Sequence, residues 1–115
     1  MTKEIKWLLF DWGDTLMFDD PSQKGEMYLW PEIRLMTGVV EALPALSAKY
    51  KCAVVSNASY SNAETMKKAF ERMNIDRHFS YFITSKEIGY KKPDIRFFEG
   101  VSKALNVPPS ELLMV

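Results

Sequence analysis

What this chain has little of narrows it before any motif is read. It holds one cysteine, Cys52, so neither an intrachain disulfide nor a multi-cysteine zinc site can form. Cys52 lies in an apolar run where a small hydrophobe fits, and a reducing, cytoplasmic setting is the expectation. There is one histidine, His78, with no second histidine or cysteine near it, which favours a structural role over metal ligation. Neither sign of charge is in excess: Lys plus Arg and Asp plus Glu number 15 each, so neither nucleic acid nor an anionic membrane is an expected partner. No apolar run approaches the length of a membrane span, and residues 1–6 lack the apolar stretch of a signal peptide. With 115 residues the chain is expected to form one domain, residues 1–115, small for a doubly wound sheet but with a usable core.

What is present is organised around residues 7–16, WLLFDWGDTL. Trp7, Leu8, Leu9 and Phe10 show no alternation and read as a strand buried on both faces, as at the centre of a parallel sheet. The strand stops on Asp11. In open α/β sheets ligands bind outside the carboxyl ends of the strands, so a carboxylate there points to a binding crevice; the plainer reading is an Asp opening a turn. Residues 17–37 follow, with Asp19-Asp20-Pro21-Ser22, Gly25, Tyr28 and Trp30-Pro31, and read as a loop or flap. Asp19 and Asp20 could be taken for metal ligands, but an Asp-Asp-Pro-Ser string favours a solvated turn.

Residues 38–49 carry Val39, Val40, Leu43 and Leu46 near helical spacing; Pro44 implies that the helix starts near Glu41 or bends there. Residues 52–55 are a second apolar strand, ending on Ser56 and Asn57. Ser61 and Glu64 form a capping-box pattern for a helix with Ala63, Met66, Phe70 and Met73 on its apolar stripe. A third strand is expected at residues 81–84, a polar loop at 86–92, and a helix capped by Asp94 running to about Leu105. Lys92 precedes Pro93 and is thereby held outside that helix. Residues 112–115 start a fourth apolar run.

Strands alternating with helices predict an α/β fold: a Rossmann-like three-layer sandwich with a parallel sheet. An Asp, a Ser and a Lys then lie near one edge of that sheet. These three suit transfer of a phosphoryl or acyl group, with a carboxylate as nucleophile and a hydroxyl and an ammonium to hold the moving group. Such chemistry on a dianion normally needs magnesium as well. The stretches FDWGDTL, VVSN and GYKKPD, in that order, resemble the first three motifs of the haloacid dehalogenase (HAD) superfamily. The resemblance implies catalytic roles for Asp11 as nucleophile, Ser56 as phosphate-binding hydroxyl and Lys92 as charge-balancing lysine, with Asn57 beside Ser56 at the phosphate. It also implies a magnesium ion on Asp11 and the Gly13 carbonyl, and a small phosphorylated or otherwise activated metabolite as substrate. Lys91 competes for the lysine role, but the residue before proline fits the motif.

Two departures from the family pattern bear on activity. Family phosphatases usually carry an acid two residues after the nucleophile; here that residue is Gly13, with Asp14 one position later. Loss of acid–base help slows such a reaction by about 10²–10⁴-fold. After Val115 the family continues with a glycine and acidic residues that complete the metal site, so a C-terminally incomplete core is expected, as a fragment of a longer hydrolase in preference to a natural truncation. Weak magnesium binding and impaired turnover of the 115 residues follow from that expectation. The connections between motifs are too short for a substantial cap domain. An exposed last strand favours a homodimer. Two other readings stay open: a non-catalytic interaction module with this fold, and a receiver-like phospho-acceptor domain, although that would place its Asp where this chain has Asn57.

Overall fold

The computed structural model describes residues 4–57 and 61–115. Its sheet has four strands, β1 (Trp7–Phe10), β2 (Lys51–Ser56), β3 (Tyr81–Thr84) and β4 (Leu112–Met114), in the order β3-β2-β1-β4. Every pairing is parallel, with Phe10 opposite Val54 and Ser56 opposite Thr84. Parallel strands need crossovers, and these are the helices α1 (Val39–Lys49), α2 (Ala63–Arg72), α3 (Ser85–Ile88) and α4 (Ile95–Leu105).

The unbroken apolar text of β1 and β2 is explained by the two cores it feeds. Leu8, Phe10, Cys52 and Val54 join one cluster with Leu43 of α1 and Met66 and Phe70 of α2. Trp7, Leu9, Ala53 and Val55 point the other way, onto Phe97, Val101 and Leu105 of α4. Strand residues alternate between the two faces, so a strand covered on both must be apolar at every position. In the first cluster, Phe70 stands edge-on to Phe79 and Phe82, with ring centroids 5.2 Å apart in each case.

Several element boundaries differ from the sequence expectation. Helix α1 starts at Val39 on Gly38 and runs through Pro44, which lies on its exposed side and lacks an N–H for the Val40 carbonyl. The cap of α2 is Asn62, not Ser61: its Oδ1 accepts the Thr65 amide at 3.0 Å, while the Thr65 hydroxyl takes the Asn62 amide. Within the expected polar loop at 86–92 lies α3, capped by Thr84 and closed by Gly89 in the left-handed region. Glu87 makes this turn possible, since its Oε1 accepts both the amide and the hydroxyl of Thr84 at 2.8 Å. Asp94 caps α4 as expected, taking the Arg96 amide at 2.9 Å.

Residues 17–37 are pinned to the body rather than draped over it. Met17 bridges to Gly13 and to Leu35, and Met17, Met27, Trp30 and Ile33 are buried in the first core. Arg72 of α2 donates to the Tyr28 and Trp30 carbonyls at 2.8 and 2.6 Å. His78 meets Ser47 of α1 through Nδ1 at 2.9 Å, and burial with the nearby Arg77 holds its imidazole below the ordinary value. No helix among the described residues is long and apolar enough to cross a membrane.

Candidate active site

The carboxyl ends of β1 and β2 open into a cleft of about 580 Å³. Asp11, Gly13, Ser56, Asn57 and Lys92, separated in sequence, all line it. Asp11 Oδ1 accepts the Trp12 amide at 2.8 Å and lies 3.1 Å from Lys92 Nζ. The same ammonium donates to the Val55 carbonyl at 3.0 Å. The Lys92 side chain is 15% exposed and that of Asp11 42%, so the pair sits at the mouth, screened from water on the lysine side. An ammonium has three N–H donors, and two are spent here. Lys91 is exposed and does not line the cleft.

The reach of Lys92 depends on Asn57. Asn57 Oδ1 accepts the Lys92 amide at 2.8 Å and its Nδ2 donates to the Lys92 carbonyl at 2.9 Å. One side chain thus clamps both faces of the residue that precedes the cis Lys92–Pro93 bond. That makes Asn57 first a positioning group, with one amide hydrogen left over for a ligand. Ser56, the last residue of β2, is buried, and its hydroxyl makes no hydrogen bond to another described residue.

The far wall comes from residues 17–37: Asp19, Gln23, Lys24, Gly25, Met27 and Trp30. Of these only Asp19 is weighed in the sequence as a metal ligand, with a solvated turn preferred; it is exposed, as that preference has it, and lines the cleft as well. These wall residues are brought to the cleft by the burial of Met27 and Trp30, a tertiary effect. The Gln23 amide nitrogen donates to the Glu32 carbonyl at 2.9 Å, while its buried Oε1 has no partner. Asp14 does not line the cleft; its Oδ1 takes the Asp19 amide at 3.0 Å. Asp20 is occupied by Ser22, whose hydroxyl and amide hold its carboxyl below the usual range.

For a hard cation the cleft is lined by Asp11 and Gly13, with a second carboxylate, Asp19, beside Gly13. Among the described residues no group of three or more His, Cys, Asp or Glu is placed to hold a metal. That donor set fits magnesium, which takes one or two carboxylates and keeps several waters.

Comparison with known proteins bears on the family and the fold. The chain matches the family model of the haloacid dehalogenase-like hydrolases over residues 18–115, a range that starts beyond Asp11. An uncharacterised protein from Listeria monocytogenes serotype 4b superposes with a TM-score of 0.82 at 22% identity, over 96% of this chain and 66% of its own. A predicted phosphoglycolate phosphatase from Haemophilus somnus gives 0.76 at 18%, over 99% of this chain and 77% of its own. A HAD-hydrolase from Bacillus subtilis, solved bound to magnesium, gives 0.72 at 14%, over 97% and 78%. No curated protein matches. This chain therefore spans just under two thirds of the length of the Listeria protein, and identities this low speak for the fold. With the family model covering most of the sequence and the parallel core superposing on HAD structures, the chain belongs to the haloacid dehalogenase-like hydrolases.

Proposed function

We propose that this chain transfers a phosphoryl group from a small phosphorylated metabolite to Asp11 and then to water. The observation that carries the reading is Lys92 Nζ, 3.1 Å from Asp11 Oδ1 and 3.0 Å from the Val55 carbonyl, in the cleft that the Ser56 hydroxyl also lines. With Oδ1 held by Lys92 and the Trp12 amide, Oδ2 is the oxygen left to attack phosphorus. The Ser56 hydroxyl, the spare Asn57 N–H and the third Lys92 N–H are the donors for the phosphoryl oxygens. Attack forms the Asp11 O–P bond as the P–O bond to the leaving group breaks. Water then takes the phosphoryl group and frees the carboxylate. Asp11 and the Gly13 carbonyl would hold magnesium, which would supply charge neutralisation at the phosphate; weak binding is the expected outcome for these 115 residues.

The same proposal gives residues 17–37 the place of a cap: with Lys24 and Gln23 on that wall, they shape the substrate end of the cleft. Buried Cys52, its thiol pushed up by burial, suits a reducing cytoplasmic setting. The test is phosphorylation of the protein by an aryl phosphate in magnesium buffer, read by mass spectrometry of the acid-quenched chain. Label on Asp11 in the wild type and none in Asp11→Asn is expected. No label in either would leave the chain as a non-catalytic module of this fold.

A further inference from the structure

We propose that Gly100, in the middle of α4, is a positioning residue for Lys92, an assignment whose effect on turnover rests on the phosphoryl-transfer reading above. Gly100 does not line the cleft, and its backbone lies outside the left-handed region, so its conformation is open to any residue. Inside a helix glycine is less favourable than alanine, so its presence there calls for a reason of space.

That space is occupied by α3. A Cβ on Gly100 would lie 2.7 Å from Ile88 Cγ2 and 3.3 Å from Ile88 Cδ1. The isoleucine cannot simply swing aside, because branching at Cβ makes its χ1 stiff and its own Cβ stands 3.7 Å from the same point. Ile88 is thus seated on the bare backbone of α4, packed against the core cluster that holds Phe97 and Val101. Glu87 ties the same short helix to its other neighbours: Oε1 accepts from Thr84 of β3, and Oε2 accepts the Ala63 amide of α2 at 3.4 Å.

The position of α3 is passed on to Lys92 by a short connection. The Gly89 amide closes α3 on the Ser85 carbonyl at 2.9 Å, and the Asp94 amide closes the next turn on the Lys91 carbonyl at 2.9 Å. Only Gly89 and Tyr90 stand between Ile88 and that turn. Asn57 fixes the Lys92 main chain to the end of β2, while the seat of Ile88 fixes the direction from which the chain arrives. A side chain at position 100 must push α3 off α4. The shift is delivered to an ammonium that must lie 3.1 Å from Asp11 Oδ1 and 3.0 Å from the Val55 carbonyl.

Two readouts on the full chain test this: labelling of Asp11 by an aryl phosphate in magnesium buffer, and trace acetylation of Lys92 by acetic anhydride, measured against its exposed neighbour Lys91. The second needs no turnover. In the wild type Lys92, 15% exposed and paired with Asp11, should acetylate more slowly than Lys91. Gly100→Ala should raise the acetylation of Lys92 several-fold and slow labelling by up to about 10²-fold. Adding Ile88→Ala leaves two Cβ atoms at an ordinary 3.7 Å and should restore both readouts, although the lost burial lowers the melting temperature. Either readout unchanged in Gly100→Ala, or both following the melting temperature in the double variant instead of recovering, would overturn the role of Gly100. So would a Gly100→Ala chain that does not fold beside a double variant that folds with Lys92 as reactive as Lys91. A wild type that never labels on Asp11, with acetylation of Lys92 rising and recovering as expected, would overturn the phosphoryl-transfer reading and leave the positioning of Lys92 standing.

Discussion

Asp14 is the residue whose two jobs pull apart. It holds a left-handed backbone that costs a non-glycine residue about 1 kcal/mol, and its carboxylate anchors the Asp19 amide. Asp14→Gly should therefore melt at the same temperature or higher, by up to about 1 kcal/mol in stability, while exchange of the Asp19 amide rises because its N–H loses its acceptor. A variant that melts lower with unchanged exchange at Asp19 would contradict this. Asp11, Ser56 and Lys92 were legible because each directly follows a strand or precedes a helix, where local rules place a residue on the sheet edge. Asp19 was not, because nothing in Asp19-Asp20-Pro21-Ser22 distinguishes a turn in solvent from one folded against Gly13.

Among the elements, the clearest dependence is that of residues 17–37 on α2. The Arg72 guanidinium holds two carbonyls from an exposed position, so Arg72→Ala should cost roughly 1–2 kcal/mol and raise amide exchange around residues 27–30 above that of β1. Unchanged exchange there would mean that burial of Met27 and Trp30 suffices. Beside it, α1 and the turn at residues 76–78 meet through Ser47 and His78. Since His78 in the fold titrates below its ordinary 6.5, the unfolded chain binds the proton more readily. This contribution to stability is whole above about 6.5 and is lost as pH falls below it towards the folded value. Denaturant midpoints at pH 7.5 and 5.5 should differ for the wild type and differ less for His78→Gln. An equal difference in both would assign the slope to other groups.

At the scale of the whole sheet, β4 is an edge strand with no strand on its outer side among the described residues. Leu113 is 50% exposed and Met114 37%. An apolar edge strand offers its unpaired backbone groups to another chain, so the 115 residues by themselves are predicted to pair with a second copy along it. Sedimentation should then show a concentration-dependent dimer that Leu113→Lys weakens; a monomer at all concentrations would refute it.

Much of this architecture was already determined by the amino-acid order. Doubly apolar runs at β1 and β2 imply coverage on both faces, and strands alternating with helices imply parallel pairing, because the chain must cross the sheet to return. The three motif stretches marked the residues that the structure brings into one cleft. The tertiary structure decided the rest. Helix α3 exists because Glu87 folds back on Thr84, and α1 continues through Pro44 because Val39 and Leu43 on its inner side are buried in the first core. Asn57 clamps Lys92 across 35 positions of sequence, and residues 17–37 line the cleft with Met27 and Trp30 buried in the first core. Contacts of that range depend on where whole elements come to rest, which local spacing does not encode.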